Sequence, residues 1–227
     1  MTMSPYVYAL LGERPRGDAG AGLDAEPLRF VPVDGVLAAV GDMAAPPGVN
    51  PTTLRAHDAV VRRLAAAVDA ILPVRFGTLL EGDGALVEAN AGRAPRLRDA
   101  LALVAGREQM TLRVFGEPAS SEDVTPAADD LGPGARYLEG RRRQTRRDAD
   151  VPELAPLRPY LADFVRAEQA QRHDARPLLA SVYHLIDRGR AAAYVKAVAA
   201  GAPALAPTRA VATGPWPPYA FAPEQLG

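Results

Sequence analysis

Apolar residues near the start of the chain cluster into short runs that are bounded by glycine, proline and acidic residues. The run at residues 5–11 is rich in β-forming side chains and predicts a buried strand. Two further apolar runs, 28–33 and 36–40, are separated only by Asp34-Gly35. Asp-Gly between two apolar runs is a strong signal for a hairpin, so we expect these strands to pair.

Apolar positions then recur at spacings of three and four residues, which is the periodicity of an amphipathic helix. This pattern predicts a helix that begins at Asn50 or Thr53, either of which can cap it, and ends near residue 70. Its expected apolar face consists of Leu54, Val60, Val61, Leu64, Val68 and Ile71. A strand is predicted next, at residues 72–80, because apolar residues there partly alternate with polar ones.

The remainder of the chain predicts further helices and strands in alternation. A helix in two pieces is expected at 85–105, with a break near Gly92 and Pro95, and the Pro-, Ser- and Asp-rich stretch 116–133 predicts a loop. Helices are also predicted at 134–148, 160–172 and 190–200, and strands at 108–115, 177–187 and 207–213. The helix at 160–172 would bury Leu161, Phe164 and Val165.

The last residues of the chain are unusual for a terminus, because they combine three prolines with three aromatic rings. The segment 213–221 reads Thr-Gly-Pro-Trp-Pro-Pro-Tyr-Ala-Phe and contains the protein's one tryptophan. Burying such rings is a large apolar gain, and proline reduces the entropy lost when a segment is ordered. We therefore expect this segment to pack into a groove of the molecule. The alternative is a proline-rich recognition segment that is offered to another protein.

Composition narrows the possible functions. The net charge of -1 provides no overall field that would attract nucleic acid or an anionic membrane. The chain has no cysteine and only three histidines, so disulfides, thiolate metal sites and cysteine nucleophiles are excluded. It shows neither an apolar run long enough to span a bilayer nor the pattern of a signal peptide, so we expect it to stay in the cytoplasm.

Candidate chemistry is sparse. His57 and Asp58 are adjacent, but neighbouring residues on a helix do not face each other, which argues against a catalytic pair. Arg75, between two apolar residues of a predicted strand, could hold a carboxylate or be solvated, and His184 is expected to be a hydrogen-bonded residue of the core or an edge. Phosphate-loop, metalloprotease and nucleophile-elbow motifs are missing. We therefore expect no catalytic residues, no cofactor and no metal.

A dense basic stretch, Arg136 to Arg147, lies in the predicted helix at 134–148. It could bind phosphate or nucleic acid. The balanced net charge and the single aromatic residue, Tyr137, favour instead a solvated helix face that pairs with acidic groups.

Three stretches together resemble the gas vesicle protein GvpL/GvpF family. They are Tyr-Val-Tyr-Ala at 6–9, Leu-Pro-Val-Arg-Phe-Gly-Thr at 72–78 and the proline-aromatic segment at 213–221. Residues 109–115, 134–139 and 182–187 are also similar to strand and helix segments of that family.

The resemblance implies an α+β fold with two domains. Residues 1–106 would form an N-terminal α+β domain, residues 107–213 a ferredoxin-like domain with a helical extension, and residues 214–227 a tail that packs between them. Only one long β stretch is evident where the ferredoxin-like middle hairpin belongs, so its strands are expected to be short or fused. Residues with an expected structural role between the domains are Arg75, Phe76, Trp216, Tyr219 and Phe221.

The resemblance also implies a function. The chain would be a minor structural or assembly component of gas vesicles, the gas-filled protein shells that give buoyancy, and it would not be an enzyme. Its partners would be the hydrophobic shell subunit and other accessory proteins, without nucleic acid or membrane, and it would be found in the cytoplasm at the vesicle. The alternative is a small-ligand-binding or enzymatic protein with a site at the domain junction near Arg75.

Overall fold

The structure, a computed structural model, describes residues 3–116 and 151–223. Of these residues, those up to Gln109 and those from Pro215 onwards form one compact unit, here the first unit. Those from Met110 to Gly214 form the second unit. The arginine-rich helix predicted at 134–148 lies outside the described residues, as does the loop predicted beyond residue 116. No helix in the described part of the chain is both long and apolar enough to cross a membrane.

A four-stranded sheet with helices against it forms the first unit. The strand order is β2-β3-β1-β4, and each neighbouring pair is antiparallel. The elements are β1 (Ser4–Leu11), β2 (Leu28–Val33), β3 (Val36–Met43), α1 (Pro51–Ala67), β4 (Ile71–Pro73), α2 (Asp83–Asn90) and α3 (Ala94–Val104). The predicted hairpin is confirmed: Val33 pairs with Val36, and Asp34 and Gly35 both have positive φ, as a type I′ turn requires.

Helix α1 begins at a capping box. The side chain of Asn50 accepts hydrogen bonds from the backbone N–H groups of Thr52 and Thr53, each at 3.0 Å. These N–H groups lie in the first turn and have no partner within the helix, so the cap satisfies them. Leu64 lies on the predicted apolar face and is buried in the core below the sheet. Leu54 was expected on that face but is 42% exposed, because it lies in the first turn, beyond the edge of the packed region.

The strand predicted at 72–80 is shorter than expected. β4 ends at Pro73, and a turn follows in which the N–H of Thr78 donates to the carbonyl of Arg75. Gly77 in this turn has a φ of 90°, a conformation that glycine adopts without steric cost. The chain then returns to β1 through an isolated bridge between Leu79 and Tyr6.

A second four-stranded sheet forms the core of the second unit, in the order β6-β7-β5-β8. The elements are β5 (Arg107–Phe115), α4 (Arg158–Leu161), β6 (Val165–Arg172), β7 (Leu178–Asp187), α5 (Ala191–Gly201) and β8 (Arg209–Trp216), with 3-10 turns at Pro152–Leu154 and Ala202–Leu205. β5 begins and β8 ends in the first unit. The fold therefore combines helices with two antiparallel sheets.

The helix predicted at 160–172 is wrong. Only Arg158–Leu161 is helical, and Val165–Arg172 is an edge strand that pairs antiparallel with β7. The segment is rich in Ala, Glu, Gln and Arg, which favour helices, but pairing with a neighbouring strand overrides that local preference. The expectation of short or fused strands in this hairpin is also wrong, because residues 165–172 form a strand of their own. The two strands are separate and have 8 and 10 residues.

Gly201, at the end of α5, packs against α4 and against the residue that precedes it. A Cβ atom there would lie 2.4 Å from Cδ1 of Leu157 and 2.8 Å from Cδ2 of Tyr160. Leu157 is fully buried, so it has little room to move. By contrast, Gly84 in α2 has no neighbouring heavy atom within 4 Å of its ideal Cβ position.

We expect Gly201→Ala to lower the free energy of unfolding by about 1–3 kcal/mol, because the added methyl group overpacks the contact. The same substitution at Gly84 should raise stability by about 0.4–1 kcal/mol, because it reduces the entropy of the unfolded chain without a clash. Urea denaturation followed by circular dichroism measures both. Equal effects of the two substitutions would contradict the close approach at Gly201.

Candidate functional site

The C-terminal segment lies against α1 within the first unit. The guanidinium carbon of Arg62 lies 4.4 Å from the ring centroid of Trp216, which is cation–π geometry. The same guanidinium donates to the carbonyl of Pro215 at 3.3 Å. The ring of Trp216 is half-buried, so Arg62 covers one of its faces while part of it stays in contact with solvent.

Tyr219 continues this contact through Asp58. Its hydroxyl donates to Oδ1 of Asp58 at 3.1 Å, and Oδ2 of the same carboxylate accepts from Nε of Arg62 at 2.6 Å. Burial raises the pKa of the Tyr219 hydroxyl above its usual value, and the negative charge of Asp58 raises it further. Asp58 and Arg62 are one helical turn apart on α1, so one turn of helix holds both rings.

Phe221 is the one buried ring of the segment, with 5% of its surface exposed. It lies in the 3-10 turn Tyr219–Phe221, which packs near β4. The backbone N–H of Ala220 donates to Oε1 of Gln109 at 2.8 Å, so the backbone of this turn is also anchored.

Arg75 and Phe76 are placed differently from each other. The side chain of Arg75 is exposed, and its carbonyl accepts from the N–H and the hydroxyl of Thr78. Phe76 is half-buried, and its ring centroid lies 5.4 Å from that of His57 and 6.5 Å from that of Tyr6. Arg75 is therefore a solvated residue, whereas Phe76 belongs to an aromatic cluster.

His57 lies at the centre of this cluster and is 4% exposed. The Tyr6 hydroxyl accepts from the N–H of Gly77 at 3.2 Å and lies 2.9 Å from Nδ1 of His57. If Tyr6 donates to Nδ1, the neutral ring carries its proton on Nε2, for which no formed hydrogen bond is found among the described residues. The ring also stacks on Tyr8, with centroids 5.4 Å apart.

Burial lowers the pKa of His57 to about 4, although the negative charge of Asp58 and the carbonyl of Val74 oppose the shift. The ring is therefore neutral at pH 7. Asp58 points to the C-terminal segment and His57 to the core, so the two form no catalytic pair, as their adjacent positions on a helix predict.

A second polar network lies in the second unit, around His184, which is 2% exposed. Nε2 of His184 donates to Oε2 of Glu168 at 2.9 Å, because a carboxylate can only accept. Nδ1 of His184 lies 2.6 Å from the Tyr194 hydroxyl, within hydrogen-bond distance. The guanidinium of Arg158 donates to both oxygens of Glu168, each at 3.0 Å.

Charge and burial oppose each other in this network. The hydrogen bond from His184 and, to a smaller extent, those from Arg158 together lower the pKa of Glu168 to about 2, against the effect of burial. Burial raises the pKa of Tyr194, and the charge of Glu168 adds to that shift. The network therefore joins the ionised Glu168 carboxylate to the Arg158 guanidinium and to the His184 ring, which in turn bonds to the Tyr194 hydroxyl.

His184 is the hydrogen-bonded core residue that its apolar neighbours predict. Its partner Glu168 was not predicted, because residues 165–172 were assigned to a helix. Glu168 and His184 are directly opposed in the β6–β7 register, so assigning the segment to a strand would have brought them together. No group of three or more histidine, aspartate or glutamate side chains suited to a metal ion is found in residues 3–116 and 151–223.

The acid sensitivity of the fold should depend on His57. Between pH 6.5 and 4 the unfolded chain binds a proton at this residue and the folded protein does not, so stability should fall as the pH falls. With a folded pKa of about 4, the loss should reach roughly 3 kcal/mol and level off below pH 4. Glu168 should add a further loss of stability below about pH 4.5. Its pKa is lowered to about 2 in the folded protein, so the unfolded chain binds the proton first.

Urea denaturation of the wild type and of His57→Gln at pH 7, 5.5 and 4.5 tests this expectation. The variant should be less stable at pH 7 and should lose less stability than the wild type down to pH 4.5. His173→Gln, which changes a half-buried histidine bonded to Ser181, is the control and should keep the wild-type loss. Parallel curves for His57→Gln and the wild type would contradict the assignment.

The hydroxyl group of Tyr219 should stabilise the contact between the C-terminal segment and α1. Tyr219→Phe should lower the free energy of unfolding by about 1 kcal/mol, because it removes the hydrogen bond to Asp58. Tyr160→Phe, at another exposed tyrosine, is the control and should change stability by less than about 0.5 kcal/mol. Equal values for the two variants would show that the bond to Asp58 adds nothing to stability.

Comparisons with known proteins agree on one family. A family model described as "Gas vesicle synthesis protein GvpL/GvpF" matches residues 4–223. Gas vesicle protein L2 of Halobacterium salinarum is 27% identical over 258 residues, which cover 96% of this chain and 91% of that protein.

Crystal structures of the gas vesicle protein GvpF share the fold. The structure from Anabaena sp. PCC7120 gives a TM-score of 0.70 at 16% identity and covers 97% of this chain and 96% of that chain. The structure from Microcystis aeruginosa gives 0.71 at 15% identity and covers 96% of this chain and 98% of that chain. Because the family model spans nearly the whole sequence, the chain belongs to the GvpL/GvpF family of gas vesicle proteins.

Proposed function

We propose that this protein is a minor structural or assembly component of gas vesicles that binds the hydrophobic shell subunit and other accessory proteins during vesicle formation. Membership of the GvpL/GvpF family over residues 4–223 is the observation that carries this proposal. On this proposal the protein is not an enzyme, and it acts in the cytoplasm, at the vesicle.

A surface suited to an apolar partner supports the proposal. Between residues 191 and 207 the exposed side chains are alanine, proline and valine, with Lys196 as the one charged group among them. Val195 on this surface is 44% exposed. Exposed apolar side chains that are grouped in one segment favour contact with another protein. We call it the α5 outer face, and we propose that it contacts the shell subunit.

A finer description of the fold belongs to the same proposal. We infer a domain at residues 1–106, a ferredoxin-like domain at 107–213 and a tail at 214–227 that packs between them. The strand order β6-β7-β5-β8 and the position of α5 between β7 and β8 support the ferredoxin-like assignment. The role of Arg75, Phe76, Trp216, Tyr219 and Phe221 between the domains remains a prediction.

Binding to the shell subunit can be measured with purified proteins. The shell subunit, fused to a solubility tag, and each accessory protein of the same organism would be titrated with this chain by biolayer interferometry. We expect saturable binding of the shell subunit at micromolar concentrations. No binding to the shell subunit or to any accessory protein would overturn the proposed function.

Charged substitutions locate the contact. The double variant Val195→Glu and Ala199→Glu should weaken binding at least tenfold, because it places two charges on the α5 outer face. Ala66→Glu, at an exposed position of α1, is the matched control and should stay within about twofold of the wild type. Retained binding in the double variant would show that another surface makes the contact, while the function itself would stand.

A further inference from the structure

A cavity of about 270 Å³ lies in the second unit, beside the polar network of His184. Its walls are mostly aliphatic and come from the segment before β6 and from β6 itself: Leu154, Leu157, Leu161, Ala162 and Val165. Three polar residues, Arg158, Glu168 and His184, complete the lining. Since Arg158 and Ala162 are exposed, the cavity reaches the surface at these residues.

The size and the walls of the cavity favour an organic occupant over water. Water in an open pocket with mostly aliphatic walls finds few polar partners there, so an apolar molecule that displaces it gains free energy. A dry apolar cavity of about 150 Å³ is large enough for benzene. The cavity here is larger, and its volume suits a compact bicyclic molecule about the size of indole.

The charges of the polar residues restrict the ligand further. Arg158 and Glu168 neutralise each other through two hydrogen bonds, and His184 already bonds to both Glu168 and Tyr194. A charged ligand would lose its hydration against aliphatic walls without finding an unpaired opposite charge, which is costly. The occupant should therefore be uncharged.

Glu168 has acceptor capacity to spare. Its Oε2 accepts from His184 and Arg158, whereas Oε1 accepts only one hydrogen bond, from Arg158, among the described residues. A carboxylate oxygen has two lone pairs, so Oε1 can accept one more donor. A ligand N–H or O–H that reaches Oε1 could donate this additional hydrogen bond.

We propose that this cavity is a binding site for a small, uncharged, mostly apolar molecule that carries one hydrogen-bond donor, of the phenol or indole class. The aliphatic walls bind its body, and Glu168 accepts its donor. The site is separate from the α5 outer face, so its test does not depend on binding to the shell subunit.

Indole and 1-methylindole are matched probes, because they share the apolar body and only indole has an N–H donor. Each would be titrated into the full-length protein with ¹³C-labelled leucine methyl groups and followed by NMR. Indole should shift the methyl signals of Leu157 and Leu161 saturably, and 1-methylindole should bind at least about tenfold more weakly, since hydrogen bonds to charged groups are strong. No saturable shift with indole, or equal affinities of the two probes, would overturn the proposal.

Variants at two exposed alanines test the location. Ala162→Trp should fill the mouth of the cavity and weaken indole binding at least tenfold, whereas Ala193→Trp, on α5 and outside the lining, should leave it within twofold. Glu168→Gln should reduce the preference for indole over 1-methylindole if it folds, and the comparison of probes on the wild type does not depend on that variant. Unchanged indole affinity in Ala162→Trp would place the bound probe elsewhere and overturn the proposal.

Discussion

The packing of α1 against the first sheet is the constraint on which much of the first unit depends. Burial of Val60, Val61 and Leu64 fixes the rotation of the helix about its axis. That rotation places His57 among the buried aromatic rings and turns the side chains of Asp58 and Arg62 toward the C-terminal segment. The hydrophobic face therefore determines where the polar contacts form, although each polar contact by itself contributes little to stability.

Features that were predicted correctly from the sequence have a local cause. The hairpin at Asp34-Gly35 depends on two residues that tolerate positive φ. Helix α1 depends on its capping residue and on a repeating apolar face. Helix α5 ends at Gly201, and a proline follows two residues later. Both residues are helix-ending signals that can be read from the sequence. In each of these cases, residues close together in the chain are sufficient to specify the element.

The errors have a non-local cause. β6 is an edge strand with helix-favouring residues, and only its pairing with β7 holds it extended. A helix at residues 160–172 does not predict the polar network of His184, since Glu168 meets His184 across the sheet. Similarly, the partners of the C-terminal rings, Asp58 and Arg62, lie more than 150 residues away in the chain. Aromatic and proline content indicated that the segment packs somewhere, but it could not indicate where.

In the second unit, the orientation of α5 determines which of its side chains lie in the core and which lie at the surface. Tyr194 is fully buried and bonds to His184, whereas the next residue, Val195, is 44% exposed. Consecutive residues on a helix point about 100° apart, so burial of Tyr194 and Val198 fixes which side chains of α5 face outward. Apolar side chains on an outer face gain little burial within the folded chain itself and favour association with another protein. Their presence on a helix whose orientation is so firmly set supports the proposed contact with the shell subunit.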